Sequence, residues 1–175
     1  MSRMYLILIL ILASGCATER YIGPTHGRSA GFQIATTNAF SKVLNKISFD
    51  LYQGKRVYIE VFTLTERYAE KSPEEEYIKN WIAEKIVQNG GRIVDSETNG
   101  DIKLSILARS IGVNKTRRDL LPIYYGELTK GIVDLHITAY DTKKNIILFT
   151  SDEKGTSTYR EAYFFYMIGP FVFIK

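Results

Sequence analysis

Cysteine and histidine are nearly missing from this chain: 175 residues carry one cysteine, Cys16, and two histidines, His26 and His136. A single thiol excludes an intrachain disulfide. Two separated histidines form no ligand-spaced cluster, so neither a metal nor another cofactor is expected. Charge of one sign is scarce as well. The formal net charge is +4, too small a bias for an electrostatic nucleic-acid footprint. No glycine-rich loop opens a helix after a strand. Gly90-Gly91 instead follows a helical pattern, which is the wrong polarity for phosphate binding. Internal repeats and low-complexity segments are absent. The apolar run Tyr5 to Ala13 is nine residues long, far short of the ~20 that a membrane-spanning helix needs.

That short run is informative in its setting. Arg3 and the chain amine precede it, no charge follows until Glu19, and Leu12-Ala13-Ser14-Gly15-Cys16 closes it with small residues before the thiol. A charged start, an apolar stretch and a small-residue end read as a secretory signal. The small side chains let an extended backbone enter a peptidase cleft. The arrangement resembles the lipobox of bacterial lipoproteins, with Ala13 where leucine is common and Leu12 one place further back. The resemblance implies cleavage between Gly15 and Cys16, a diacylglyceryl thioether on Cys16, and acylation of the new amine. Two or three acyl chains, at about 0.8 kcal/mol per buried methylene, hold a domain stably on a membrane. Ala17, rather than aspartate, after the cysteine resembles an outer-membrane destination facing the periplasm.

Removing 15 of the 175 residues leaves 160, enough for one domain with a core. The expected organisation is a signal peptide over 1–15, a lipidated tether over 16–35 containing Gly23, Pro24, Gly27 and Gly31, and a single α/β domain over 36–175. Thr37 or Asn38 can cap a helix whose face is Phe40, Val43, Leu44, Ile47 and Leu51, ending at Gly54. Val57, Ile59 and Val61 alternate as a strand. Ser72-Pro73-Glu74-Glu75 reads as a cap, a first-turn proline and a capping-box glutamate. Ile78, Trp81, Ile82 and Ile86 form that helix's stripe, and Asn89-Gly90-Gly91 stops it. A short strand over 92–95 and a strand over 101–113 follow, with Ile102, Leu104, Ile106 and Ala108 on one face. Residues 114–130 read as a polar, turn-rich excursion. Ile132 to Tyr140 is a strand with Leu135, Ile137 and Ala139 inward. A turn over 141–145 returns the chain into Ile146 to Thr150, which Ser151 to Arg160 can continue. The fold class is therefore α/β (α+β): a mixed sheet with an early strand–helix–strand unit, an antiparallel meander, and two main helices packed on it.

The strand Arg56-Val57-Tyr58-Ile59-Glu60-Val61, the helix end Asn89-Gly90-Gly91 and the opening Gly100-Asp101-Ile102-Lys103-Leu104 carry a further resemblance. In this order and texture, residues 36–160 resemble a superfamily of envelope lipoproteins. It includes the curli-secretion lipoproteins, the penicillin-binding-protein activators and the N-terminal domain of the Tol-system propeller protein. The resemblance implies a non-enzymatic interaction or assembly module with a protein partner or a homo-oligomer in a secretion, transport or cell-wall complex. It transfers no ligand site residue by residue. The polarity of Ser151 to Arg160 argues against a pore wall, which needs long alternating strands.

No catalytic constellation is expected. His26 lies in the tether, and His136 alternates with Leu135 and Ile137, facing away from the core. Glu74, Glu75 and Glu76 serve the helix N-terminus, and Asp101, Asp134 and Asp141 flank or sit on strands without an acid–base spacing. An enzyme would need His136 gathered with acids in a cleft. Two stretches are candidates for an interaction surface. Lys115, Arg117 and Arg118, with Arg109 nearby, are either a solvated loop or a contact for anionic head groups or an acidic partner. The terminal stretch with Tyr163, Phe164, Tyr166 and Phe171 is a core-filling tail, an aromatic partner surface or a membrane-interface segment. An alternative function is a carrier or transporter-auxiliary lipoprotein with an apolar cavity for a lipid or small hydrophobic ligand.

Overall fold

The computed structural model describes residues 18–22, 30–63, 73–120, 123–165 and 167–175. Its elements are β1 (Thr18–Ile22), α1 (Ala30–Leu44), β2 (Arg56–Thr63), α2 (Pro73–Gln88), β3 (Arg92–Ile93), β4 (Ile102–Leu120), β5 (Tyr124–Asp141), β6 (Ile146–Phe164) and β7 (Ile168–Ile174). The strand order is β3-β2-β4-β5-β6-β7, with β1 on β4. β2 runs parallel to β3 and β4, while β1 is antiparallel to β4 and β7 to β6. This is the expected class, a mixed sheet carrying two helices. The chain divides into two compact units, 36–112 with 132–156, and 1–35 with 113–131 and 157–175. A single unit beginning at residue 36 was the expectation.

The helix-backed unit, 36–112 with 132–156, holds the core. Ala39, Phe40 and Val43 from α1 and Ile78, Ile82 and Ile86 from α2 meet Val57 and Ile59, Ile102 to Ala108, and Val133 to Ala139 at alternate positions. The apolar alternation named these inward strand residues except Val133, because a period of two places one whole side of a strand against the helices. Trp81 lies between the buried stripe and the surface, tilted against Phe40 and Tyr77 at 5.4 and 5.5 Å. α2 ends as its glycines require. Gly90 takes φ +83°, and Gly91 and Gly90 donate back to Ile86 and Val87, the paired bonds of a left-handed C-terminal cap.

α1 differs from expectation at both ends. It starts at Ala30 and stops at Leu44, where the sequence placed a start near Thr37 and a stop at Gly54. Thr37 sits inside the helix and hydrogen-bonds the Tyr77 hydroxyl at 3.0 Å, so a cap-forming residue is used as a tertiary contact. Beyond Leu44, Ser48 donates to Asp50 at 3.0 Å. That local bond competes with helical pairing, and a 3-10 turn at Asp50–Tyr52 buries the Tyr52 ring instead.

The strand unit, 1–35 with 113–131 and 157–175, is where the sequence reading needs most correction. The expected tether carries β1 and the start of α1. The expected polar excursion over 114–130 is strand on both sides of the turn: β4 continues to Leu120 and β5 begins at Tyr124. Its described apolar burial is thin, with Tyr159, Ala162 and Ala35 its buried hydrophobics.

Candidate interaction surface

β7 lies at the end of the strand order, paired with β6 from Tyr159↔Ile174 to Phe164↔Ile168. All seven of its residues, Ile-Gly-Pro-Phe-Val-Phe-Ile, are exposed. A core-filling tail is thus not what this segment is. Phe164 and Phe171, both exposed, pack edge to face at 5.9 Å, and Phe164 also meets Tyr124 at 5.5 Å. Tyr163 is half-buried against Tyr125 at 5.6 Å. Arg160 donates to the Tyr124 hydroxyl at 2.8 Å. Strand alternation puts Tyr124, Phe164 and Phe171 on one face and Tyr125 with Tyr163 on the other.

The basic residues do not form one patch. Lys115 pairs with Glu127 at 2.6 Å, and Arg117 with Asp119 at 3.0 Å. The Arg117 guanidinium stands 4.4 Å from the centre of the Tyr125 ring, within cation–π range. Tyr125 donates to Glu127 at 2.6 Å. Burial and that carboxylate push the Tyr125 hydroxyl up to about 12. Burial works to raise the Glu127 carboxyl, but the bonds from Lys115 and Tyr125 prevail and hold it below its usual range. Arg118 is exposed and alternates to the other side of β4, so Arg117 and Arg118 do not share a face. Arg109 belongs to the helix-backed unit.

There, Arg109 contacts Asp152 at 2.6 Å, and His136 Nδ1 lies 2.8 Å from the same carboxylate oxygen. The bond to His136 and the Arg109 charge hold Asp152 below the carboxylate range. Asp134 faces Arg109 and Lys154 at 4.0 Å each. His136 Nε2 is 3.4 Å from Thr138 Oγ1. This network orients an imidazole on an open sheet face. The hollow of about 250 Å³ in the same unit is lined by other residues: Glu60, Glu97, Lys103, Ser105, Tyr140, Asp141, Thr142 and Asn145. It is polar, and its lysine is already bridged, at 2.8 Å to Glu97 and 3.2 Å to Glu60.

Gly15, Cys16, His26 and Tyr166 lie outside the described residues. Among the described residues, no three acidic, histidine or cysteine side chains are grouped to hold a metal, and no helix is long and apolar enough to cross a membrane. The sequence reading missed the Lys115–Glu127–Tyr125–Arg117 cluster. Its signal was the two-residue spacing of Lys115, Arg117 and Asp119, followed closely in sequence by Tyr125 and Glu127 at the same spacing. No protein-family model and no curated protein matches this chain.

Proposed function

We propose that this chain is a bacterial envelope lipoprotein, anchored through acyl chains on Cys16 and facing the periplasm from the outer membrane. Its folded part serves as a non-enzymatic interaction and assembly module for a secretion, transport or cell-wall complex. The observation that carries the reading is β7, a terminal strand with all seven residues exposed. Aromatic groups concentrate at protein contacts, and contiguous exposed apolar area marks a partner surface. Anchoring supplies the mechanism. Confinement to a bilayer raises the effective concentration of the module near its partner. A carrier for a hydrophobic ligand would use an apolar hollow; the hollow at Glu60, Lys103 and Tyr140 is polar.

The test is crosslinking in intact cells with wild type and with Phe171→Ser/Phe173→Ser. Both positions are exposed. The expected result is a crosslinked envelope protein that is lost from the variant. An undiminished adduct removes β7 from the account.

A further inference from the structure

Three chain segments meet at one end of the strand unit. The turn between β4 and β5 is closed there by the Ile123 amide, which donates to the Leu120 carbonyl at 2.8 Å. The turn between β6 and β7 is closed by the Met167 amide, which donates to the Phe164 carbonyl at 3.2 Å. The Phe165 amide donates to the Ile123 carbonyl at 3.1 Å, so the two turns lie side by side. The third segment is β1. It runs antiparallel to β4 with Thr18 opposite Asp119, one residue short of the end of β4. The chain therefore enters the unit at the same end as the turns.

These turns have the wrong chemistry for water. Exposed turns usually carry Gly, Asn, Asp or Ser. Here Ile123, Phe165, Met167 and Ile168 are 45, 59, 89 and 53% exposed. No charged residue occurs between Asp119 and Glu127, or between Glu161 and Lys175. Behind the tips the groups change character. Tyr124 lies on one face of the sheet, with Tyr125 and Tyr163 on the other. Arg160 donates to the Tyr124 hydroxyl, and Arg117 stands over the Tyr125 ring. Apolar tips, then tyrosines, then arginines follow the order met on leaving a bilayer. Tyrosine favours the boundary between lipid and water, and arginine keeps its charged head in water while its stem packs on apolar groups.

Connectivity indicates what meets this end. Cys16 precedes Thr18 by two residues, and two residues span at most ~7 Å. Acyl chains on the Cys16 sulfur therefore leave the protein beside the two turns. We infer that Ile123, Phe165, Met167 and Ile168 enter the surface of the same bilayer that holds those acyl chains, seating the strand unit end-on in lipid. The inference rests on the anchor reading above. Apolar groups of membrane-surface elements sit about 5–10 Å deep, the length of roughly two or three strand residues. Phe171 to Ile174, further along β7, then stay clear of the lipid for the protein partner. The second contact fixes the orientation of the unit on the membrane, which acyl chains alone do not.

The test places an environment-sensitive fluorophore on single cysteines of the full chain, expressed with its signal. The protein is reconstituted in vesicles of phosphatidylethanolamine and phosphatidylglycerol that contain a nitroxide-labelled lipid. Met167→Cys and Ile123→Cys report the tips. Lys130→Cys is the reference, exposed and six residues along β5 from Tyr124, or roughly 20 Å. The nitroxide lipid should quench both tip reporters several-fold more than the reference. A tip reporter quenched no more than the one at Lys130 overturns the inference. So does one shielded from aqueous iodide without quenching by lipid, which marks a protein or a second copy at the tips. The parent chain is treated with the same dye, and no uptake is expected because the Cys16 sulfur is a thioether. A parent that takes up the dye has a free Cys16, which fails the anchor reading. The same reporters on a Cys16→Ser background then decide the lipid contact of the tips by the same comparison with Lys130.

Discussion

Asp101 sits at the opening of β4 and gathers donors from two directions. Arg56 reaches it with its backbone amide, Nε and Nη2 at 3.1, 3.2 and 3.0 Å, and Lys143 approaches at 3.3 Å. The side-chain and backbone bonds from Arg56 hold its carboxyl well below the carboxylate range, with Lys143 adding to them. The folded value lies below the unfolded one, about 3.9. The contribution is therefore full at neutral pH and is lost as pH falls through the unfolded value toward the folded one. Asp101→Asn should lower the urea midpoint at pH 7 and converge with wild type as pH falls from about 5 toward 2. Parallel curves for the two proteins over that range would deny Asp101 the role. Gly155 sets a steric limit. A Cβ there would overlap the carbonyl oxygen of Ala39 in α1, so helix and strand must separate to admit it. Gly155→Ala should cost about 1–3 kcal/mol in the urea midpoint. An unchanged midpoint would mean that α1 is not seated against β6.

At the scale of elements, the strand unit should open more readily than the apolar core, because few apolar groups are buried in it. Glu127 accepts from Lys115 and Tyr125, joining β4 to β5 where few apolar groups are buried. Glu127→Ala should speed amide exchange over 113–131 and leave α2 and residues 102–108 protected. Equal acceleration in both places would make the two units one cooperative body. The same elements explain how far the sequence was readable. Ile102 to Ala108 and Leu135 to Ala139 alternate apolar with polar, so their strands and inward faces were legible. The same strands continue through Asn114-Lys115-Thr116-Arg117-Arg118-Asp119, where the alternation is between ion-paired and exposed polar groups. Hydropathy does not register that alternation, so a strand read as a loop. α1 was misplaced because Thr37 and Asn38 resemble a cap and Asn45 to Asp50 resembles a continuing face. His136 was placed on the outward side of β5, but Asp152 reaches it from β6 and Arg109 of β4 reaches that same carboxylate, a pairing that no local spacing encodes.

Taken whole, the molecule concentrates its apolar burial in one unit, and its C-terminal strand carries a run of exposed apolar residues in the other. Helices and alternate strand positions fill the core of 36–112 with 132–156, while Phe164, Phe171, Val172, Phe173 and Ile174 are exposed in the other unit. Such a surface is costly for a freely diffusing protein and useful for one held beside its partner. The proposed assembly role depends on that tether, and the tether depends on one atom, the Cys16 sulfur. Metabolic labelling with an acyl-chain analogue, comparing wild type with Cys16→Ser, is therefore the most direct test. The account predicts a labelled wild type in the membrane fraction and an unlabelled Cys16→Ser protein. An unlabelled wild type, or equal label on both, would contradict it.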